Sequence, residues 1–275
     1  MQKKESPVWP WVLGVVVVVG AGGAWVLKDR LPGQAETPPV AAANAGAPAG
    51  PAAAPAPEPA PAAEPAVQHP INTALAADPA LPSLADSDAP VWEALGAQLA
   101  EGSVRDLLLR DHLLQRWVTH IDNLDKPSLA PVAMAVKPLP GTLQVEAVNG
   151  VEQIAAGNAS RYAPYVAAFA ALDAEAVGRT YVRFYPLVQQ VYAELGRKDA
   201  YFNDRLVAVI DHLLATPEPA RPLLVERDAR GRYRFVDAGL QQRSVGQKLL
   251  LRMDAGQAQA VKQQLRAIRR VITRG

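Results

Sequence analysis

The stretch A-Y-F-N-D-R-L-V-A-V-I-D-H-L-L, Ala200 to Leu214, decides how this chain reads. Phe202, Leu206, Val209, Ile210 and Leu213 recur at three- and four-residue intervals, the spacing of one buried helix face. Asn203, Asp204 and Arg205 put a polar cluster where that helix begins. Asp199 is the expected N-cap, and T-P-E-P, Thr216 to Pro219, ends the helix.

Upstream, Asp173 is expected to cap a long helix with Val177, Tyr181, Phe184, Val188, Tyr192 and Leu195 on its face and Gly196 at its end. Pro186 lies inside that pattern. It has no N–H and crowds the preceding turn, so a kink or break is expected there. Asn158 to Ala171 predicts another helix, carrying Tyr162, Tyr165 and Phe169. Tyrosines at this spacing read as core with satisfied hydroxyls, and a ligand cleft is the alternative.

Earlier still, Asp86-Ser87-Asp88 with Pro90 marks a helix start. Ser103-x-x-Asp106 resembles a capping box for a helix bearing Leu107, Leu114, Val118 and Ile121, which ends near Asn123 and Pro127. L-Q-V-E-A-V, Asn149-Gly150 and V-E-Q-I form a hairpin signal, because Asn-Gly takes the positive φ angles of a tight turn. A second hairpin is expected around Asp228–Gly231.

Downstream, Asp237 is expected to cap a helix reaching Leu249–Met253, and Asp254-x-x-Gln257 to cap the last one. There Val261, Leu265, Ile268 and Ile272 form the core face, and Lys262, Arg266, Arg269 and Arg270 form a neighbouring basic face. The fold class is mainly α: a helical, bundle-like domain over residues 83–275 with one or two short β-hairpins.

A transmembrane helix and a disordered linker are expected to precede this domain. Val8 to Leu27 is twenty residues without a charge, about 30 Å as a helix and enough to cross a bilayer. Trp9, Trp11 and Trp25 suit the two headgroup regions, which favours an anchor over residues 1–30 rather than a cleaved signal peptide. Residues 31–82 form the linker. Residues 31–70 alone hold 15 Ala and 11 Pro, too little apolar bulk to offset chain entropy. Lys3 and Lys4 against Lys28 and Arg30 leave orientation nearly undetermined by charge. The soluble bulk of the chain favours an exported domain.

With these segments laid out, the chain resembles the bacterial family known as domain of unknown function 3014. The resemblance lies in S-D-A-P-V (87–91), I-D-N-L (121–124), R-Y-A-P-Y-V (161–166), Y-P-L-V-Q-Q-V-Y-A-E-L-G (185–196), Y-F-N-D-R-L-V-A-V-I-D-H-L-L-A-T-P (201–217) and G-Q-K-L-L-L-R-M (246–253). It covers about residues 84–270. A leading membrane span and a Pro/Ala-rich linker are similar to the family's layout. Arg197-Lys198-Asp199-Ala200 and Asp254 depart from its pattern, and the resemblance implies no reaction.

Composition narrows function further. There is no cysteine, which excludes disulfides and thiolate chemistry. The net charge of +1 hides a split: residues 71–240 hold 16 Lys/Arg against 21 Asp/Glu, and residues 241–275 hold 8 against 1. No phosphate-cradling glycine loop, G-x-S-x-G or H-E-x-x-H occurs. The chain therefore reads as a non-enzymatic binding or scaffolding protein of the inner membrane and periplasm, with no cofactor or metal implied. Its expected partners are membrane lipid at the anchor and an envelope protein or wall component at the domain.

The surface expected to bind is Arg161, Tyr162, Asn203, Asp204 and Arg205. Two other readings stand beside it. One is a metal- or carboxylate-dependent envelope enzyme using Asp204, Asp211 and His212, where Asp204 and Asp211 lie seven residues apart on one helix face. The other is the basic last helix docking on anionic lipid; nucleic acid is disfavoured there, since no aromatic-plus-basic groove signature occurs.

Overall fold

The computed structural model describes residues 66–72, 81–96, 105–130 and 133–274. The expected anchor lies outside them, as does most of the tether. Among the described residues no helix is long and apolar enough to cross a membrane.

Over the described residues the chain is mainly helical with two small antiparallel hairpins. In order it forms α1 (Asp88–Gly96), α2 (Leu113–Asn123), β1 (Val145–Val148), β2 (Val151–Ile154), α3 (Ala159–Ala170), α4 (Ala174–Glu194) and α5 (Phe202–Leu214). It continues with β3 (Val225–Arg227), β4 (Tyr233–Phe235), α6 (Ala238–Gln241), α7 (Val245–Arg252) and α8 (Ala255–Ile272). The last helix is the hub: α8 packs on α3, α4 and α5, while α2 closes the other side against α4 and α5. Trp117, Tyr181, Val188, Phe202, Ile210, Val261 and Leu265 are fully buried where these helices meet.

The tyrosine set is core. Tyr162, Tyr165, Tyr181, Tyr185 and Tyr192 are buried and Tyr201 partly so. Ring centroids run from Trp117 to Phe202 at 5.5 Å, Phe202 to Tyr192 at 5.2 Å, Tyr181 to Tyr185 at 5.3 Å and Tyr185 to Tyr201 at 5.3 Å. Tilted and edge-on pairs of this kind add directional attraction to apolar burial. Tyr185 has hydrogen-bond partners, but the buried Tyr181 hydroxyl has none among the described residues.

Several local signals hold as read. Asn149 (φ 52°) and Gly150 (φ 78°) make the β1–β2 turn, pairing Val145 with Ile154 and Val148 with Val151. Asp173 caps α4 through the Glu175 N–H, Gly196 (φ 86°) follows its end, and Asp254 with Gln257 forms a capping box on α8. The hairpins share one bridge, Gln153 to Leu224, over a small core of Leu143, Ile154, Leu223, Val225, Phe235 and Leu251.

Others are corrected. Pro186 does not break α4, which runs unbroken for 21 residues. The lost hydrogen bond, about 3 kcal/mol with the ring clash, is outweighed by burial of Phe184, Tyr185, Leu187, Val188 and Val191 around it. The helix expected from Ser103 starts only at Leu113. His112 in the left-handed region (φ 53°) interrupts the path, and Leu108 pairs instead with Val136. Asp88 does not serve only its own helix: its carboxylate accepts the His112 and Leu113 N–H groups at 2.7 and 2.8 Å, capping α2 from a distance. The helix expected from Asp237 to Met253 is two, since Ser244 opens a new one by accepting from the Gln247 N–H.

Gly246, second in α7, lies under the end of α2. Its N–H donates to the Leu124 carbonyl, and a Cβ there would meet that oxygen at 3.0 Å and Leu213 Cδ2 at 2.5 Å. Gly246→Ala is therefore expected to destabilise the domain by about 1–3 kcal/mol in urea unfolding, despite the better helix propensity of alanine.

His120, in α2, is fully buried, and desolvation pushes its pKa down to about 4 from 6.5, opposed by a backbone contact at Ala133. Its Nδ1 accepts from the Ala135 N–H at 3.3 Å. As pH falls below 6.5 the unfolded chain takes up a proton that the folded chain refuses. Stability is thus complete above pH 6.5 and falls toward pH 4 by about 3 kcal/mol in all. His212, also depressed by burial, acts in the same direction. Urea midpoints between pH 7 and 4.5 should show this slope, and His120→Gln should remove most of it.

Candidate binding site at the start of helix α5

Helix α5 begins without a cap of its own. Asp199 does not fill that role, and the N-cap position is Tyr201, whose side chain makes no capping bond. The free N–H groups are satisfied from α4 instead: Phe202 N–H donates to Gln189 Oε1 at 2.9 Å and Asn203 N–H to the Tyr185 hydroxyl at 3.2 Å. Gln189 Nε2 donates in turn to the Ala200 carbonyl, and the Tyr185 hydroxyl to Gln189 Oε1. Residues 13 and 18 positions earlier therefore fix the helix start.

Because its cap is supplied from below, the first turn of α5 turns its own polar side chains to other tasks. Asn203, fully buried, donates from Nδ2 to the Ile272 carbonyl at the end of α8 (2.9 Å) and to the His69 carbonyl (2.8 Å). Asp204 accepts the N–H groups of Gln68 and His69 at 2.9 and 2.7 Å, and the Tyr201 hydroxyl accepts that of Ile71 at 2.7 Å. Residues 66–72, read from composition as part of the tether, thus lie across the start of α5, held by main-chain bonds. Ile71 packs against the core, while Val67, Gln68 and Pro70 stay exposed. Beside this segment a cleft of about 550 Å³ remains, lined by Gln189, Tyr192, Lys198, Asp199 and Arg205.

Arg205 is not free to bind a partner. Its Nε donates to Asp122 Oδ1 at 2.7 Å, Nη1 and Nη2 to the two Asp125 oxygens at 2.8 Å each, and Nη2 also to the Asp122 carbonyl at 2.5 Å. Burial alone would lower the guanidinium pKa; the two aspartates reverse that and raise it. Burial likewise works to raise the Asp125 pKa, and its bonds to Arg205 hold it below the usual carboxylate range. This fork ties α5 to the end of α2.

Arg161 and Tyr162 belong elsewhere. Arg161 donates to Asn158 Oδ1 and to the Pro140 and Gly141 carbonyls, and Tyr162 is core. The start of α3 touches the start of α8, where Gln257 donates to the Ala159 carbonyl, whereas Asn203 meets the other end of α8. Fifteen residues of helix, about 22 Å, separate the two groups. The five residues expected to form one surface therefore form two separate structural ties, and the cleft keeps Asp204 with Arg205 at its edge.

The residues of the enzyme reading also separate by partner. Asp204 holds main-chain amides, Asp211 pairs with Arg269 at 2.6 Å, and His212 Nε2 lies 2.9 Å from the Ser244 hydroxyl. Among the described residues no group of three His, Asp or Glu side chains is placed to hold a metal ion. The basic face is likewise smaller than expected. Lys262 is buried and donates to the Thr216 carbonyl and Glu218, because its position in α8 faces the end of α5 rather than solvent. Arg266 and Arg270 remain exposed.

Gln189 and the 67–71 segment are not singled out by the sequence, and Tyr185 is legible there only as one of the core tyrosines. Gln189 sits within Y-P-L-V-Q-Q-V-Y as a polar residue on a mostly apolar face, and that was the available signal.

Replacing Arg205 by Ala leaves Asp122 and Asp125 with only the longer contacts to Arg197 (3.7 Å) and Lys126 (3.4 Å). The expected loss is on the order of 2–3 kcal/mol in urea unfolding at pH 7, shrinking as the pH falls below the usual carboxylate range and Asp125, held low by Arg205, takes up a proton.

Comparison with known proteins places this geometry. No curated protein and no solved structure matches the chain. A family model described as protein of unknown function (DUF3014) matches residues 113–269, from the first residue of α2 into the last turn of α8. More than half of the sequence lies within that match, including the start of α5 and the Arg205 fork, and the chain belongs to the DUF3014 family.

Proposed function

We propose that this chain is a single-pass protein of the bacterial inner membrane that displays a helical binding and scaffolding domain, on an Ala/Pro-rich tether, in the periplasm. The uncharged run Val8–Leu27 and the Ala/Pro composition after it support the anchor and tether. A tethered domain meets neighbouring membrane or wall components at raised local concentration.

The observation that carries the binding part is the start of α5, where Tyr201, Asn203 and Asp204 grip polypeptide main chain. These contacts select main-chain amides and a carbonyl and make no covalent demand on the segment that carries them. Asp211 and His212, the other members of the enzyme reading, are committed to Arg269 and Ser244. Engagement of Lys262 and Arg269 by acidic partners supports protein over lipid as what the domain meets.

Two measurements test this. A C-terminal tag should be digested by protease in spheroplasts and protected in intact cells; protection until lysis would reverse the orientation. A photo-crosslinker at Lys198, on the rim of the cleft, should give adducts with envelope protein that disappear in Asp204→Ala with the fold retained. Adducts unchanged by that substitution would remove the start of α5 as the binding face.

A further inference from the structure

Four main-chain bonds hold residues 68–71, and their chemistry is unselective. Asp204 takes the amides of Gln68 and His69, Asn203 reaches the His69 carbonyl, and the Tyr201 hydroxyl takes the Ile71 amide. Among the described residues the site holds Gln68, His69 and Pro70 through their main chain, and Ile71 adds apolar contact. Any segment whose main chain bends in the same way presents the same groups. The fit is also incomplete. Asn203 is fully buried, yet its Oδ1 has no donor among the described residues, an uncommon and costly state for a buried amide oxygen. The cleft of about 550 Å³ beside residues 66–68 continues the site past what the segment fills.

From these observations we infer that the start of α5 is a receptor site for a short bent polypeptide segment, and that Val67–Asn72 is an internal ligand occupying it. The partner is a protein that offers a proline-compatible segment whose main chain bends so that two consecutive amide N–H groups face Asp204, with a further amide for Tyr201 and a carbonyl for Asn203. This rests on the binding reading above and not on the membrane placement. The internal segment acts as a competitor. Only eight residues, 73–80, separate it from Leu81, so it competes at an effective concentration on the order of millimolar. A partner segment succeeds by filling the remaining cleft near Lys198 and Asp199 and by bringing a donor to Asn203.

The probe is the peptide P-A-V-Q-H-P-I-N-T, residues 65–73, carrying a fluorophore, with anisotropy read on the full chain in lipid nanodiscs. In the opened chain, Gln68→Pro, His69→Pro and Ile71→Pro remove the three internal amide donors and impose an extended backbone in place of the bend. The opened chain is expected to bind the peptide at least tenfold more tightly than the wild type. Adding Asp204→Ala should abolish the gain, and a peptide with proline at the same three positions should not bind.

Equal binding by the opened and wild-type chains, or binding indifferent to Asp204, overturns the inference. If the opened chain does not fold, amide hydrogen exchange on the wild type gives the answer. Excess isotope-labelled peptide should speed exchange at Gln68, His69 and Ile71, and unchanged rates at millimolar peptide overturn the inference. Should the peptide fail while Asp204→Ala still removes the envelope crosslinks, the binding function stands with a different partner chemistry. Loss of both removes both.

Discussion

The Asn203 amide group is the point on which three separate parts of the chain depend. Fully buried, it gives its two protons to the carbonyl that closes α8 and to the carbonyl of His69, and its own N–H goes to the Tyr185 hydroxyl in α4. A buried amide stripped of such partners would lose hydrogen bonds to water without replacement, a penalty of about 1–3 kcal/mol for each group left unpaired. The position of α5 relative to α4 and α8 is therefore set by hydrogen-bond demand as well as by apolar burial. Phe202, next to it, inserts into the Trp117–Tyr192 ring cluster and fixes the rotation of the same turn.

The polar side chains of this domain mostly serve its backbone. Gln247 reaches the His212 carbonyl, Gln257 that of Ala159, Gln264 that of Leu172 and Lys262 that of Thr216. The His212, Leu172 and Thr216 carbonyls lie at or just past the C-terminal ends of helices, where intrahelical partners run out, while that of Ala159 opens α3. The pattern explains why the basic stretch 241–275 does not make an equally basic surface. Part of its charge is spent within the chain: Lys262 is buried and pairs with Glu218, and Arg269 pairs with Asp211 at the surface. Arg205 follows the same logic between α5 and the end of α2, and there the geometry is a bidentate fork.

What distinguishes the start of α5 from these ties is the nature of its third partner. Residues 67–71 are outside the helical body, contribute little side-chain burial and are held through their main chain. A bend at Gln68–His69 turns two consecutive amides toward the Asp204 carboxylate, and a tyrosine hydroxyl and an asparagine amide complete a short row of main-chain contacts.

Local signals in the sequence determined the helical class, the Asn149-Gly150 hairpin, the caps at Asp173 and Asp254 and the stop at Gly196, because each is set by neighbours within four residues and by backbone sterics. They also identified Asn203, Asp204 and Arg205 as a polar cluster. Partners over long separations were decided by the tertiary fold. Asp88 caps a helix 25 residues on, Gln189 replaces Asp199 at the start of α5, Pro186 stays helical under the burial around it, and Arg161 parts from Asn203 along the length of α8. A hydrogen bond or ion pair is a property of two positions in space, and periodicity along the chain specifies which face a residue occupies without specifying what that face meets.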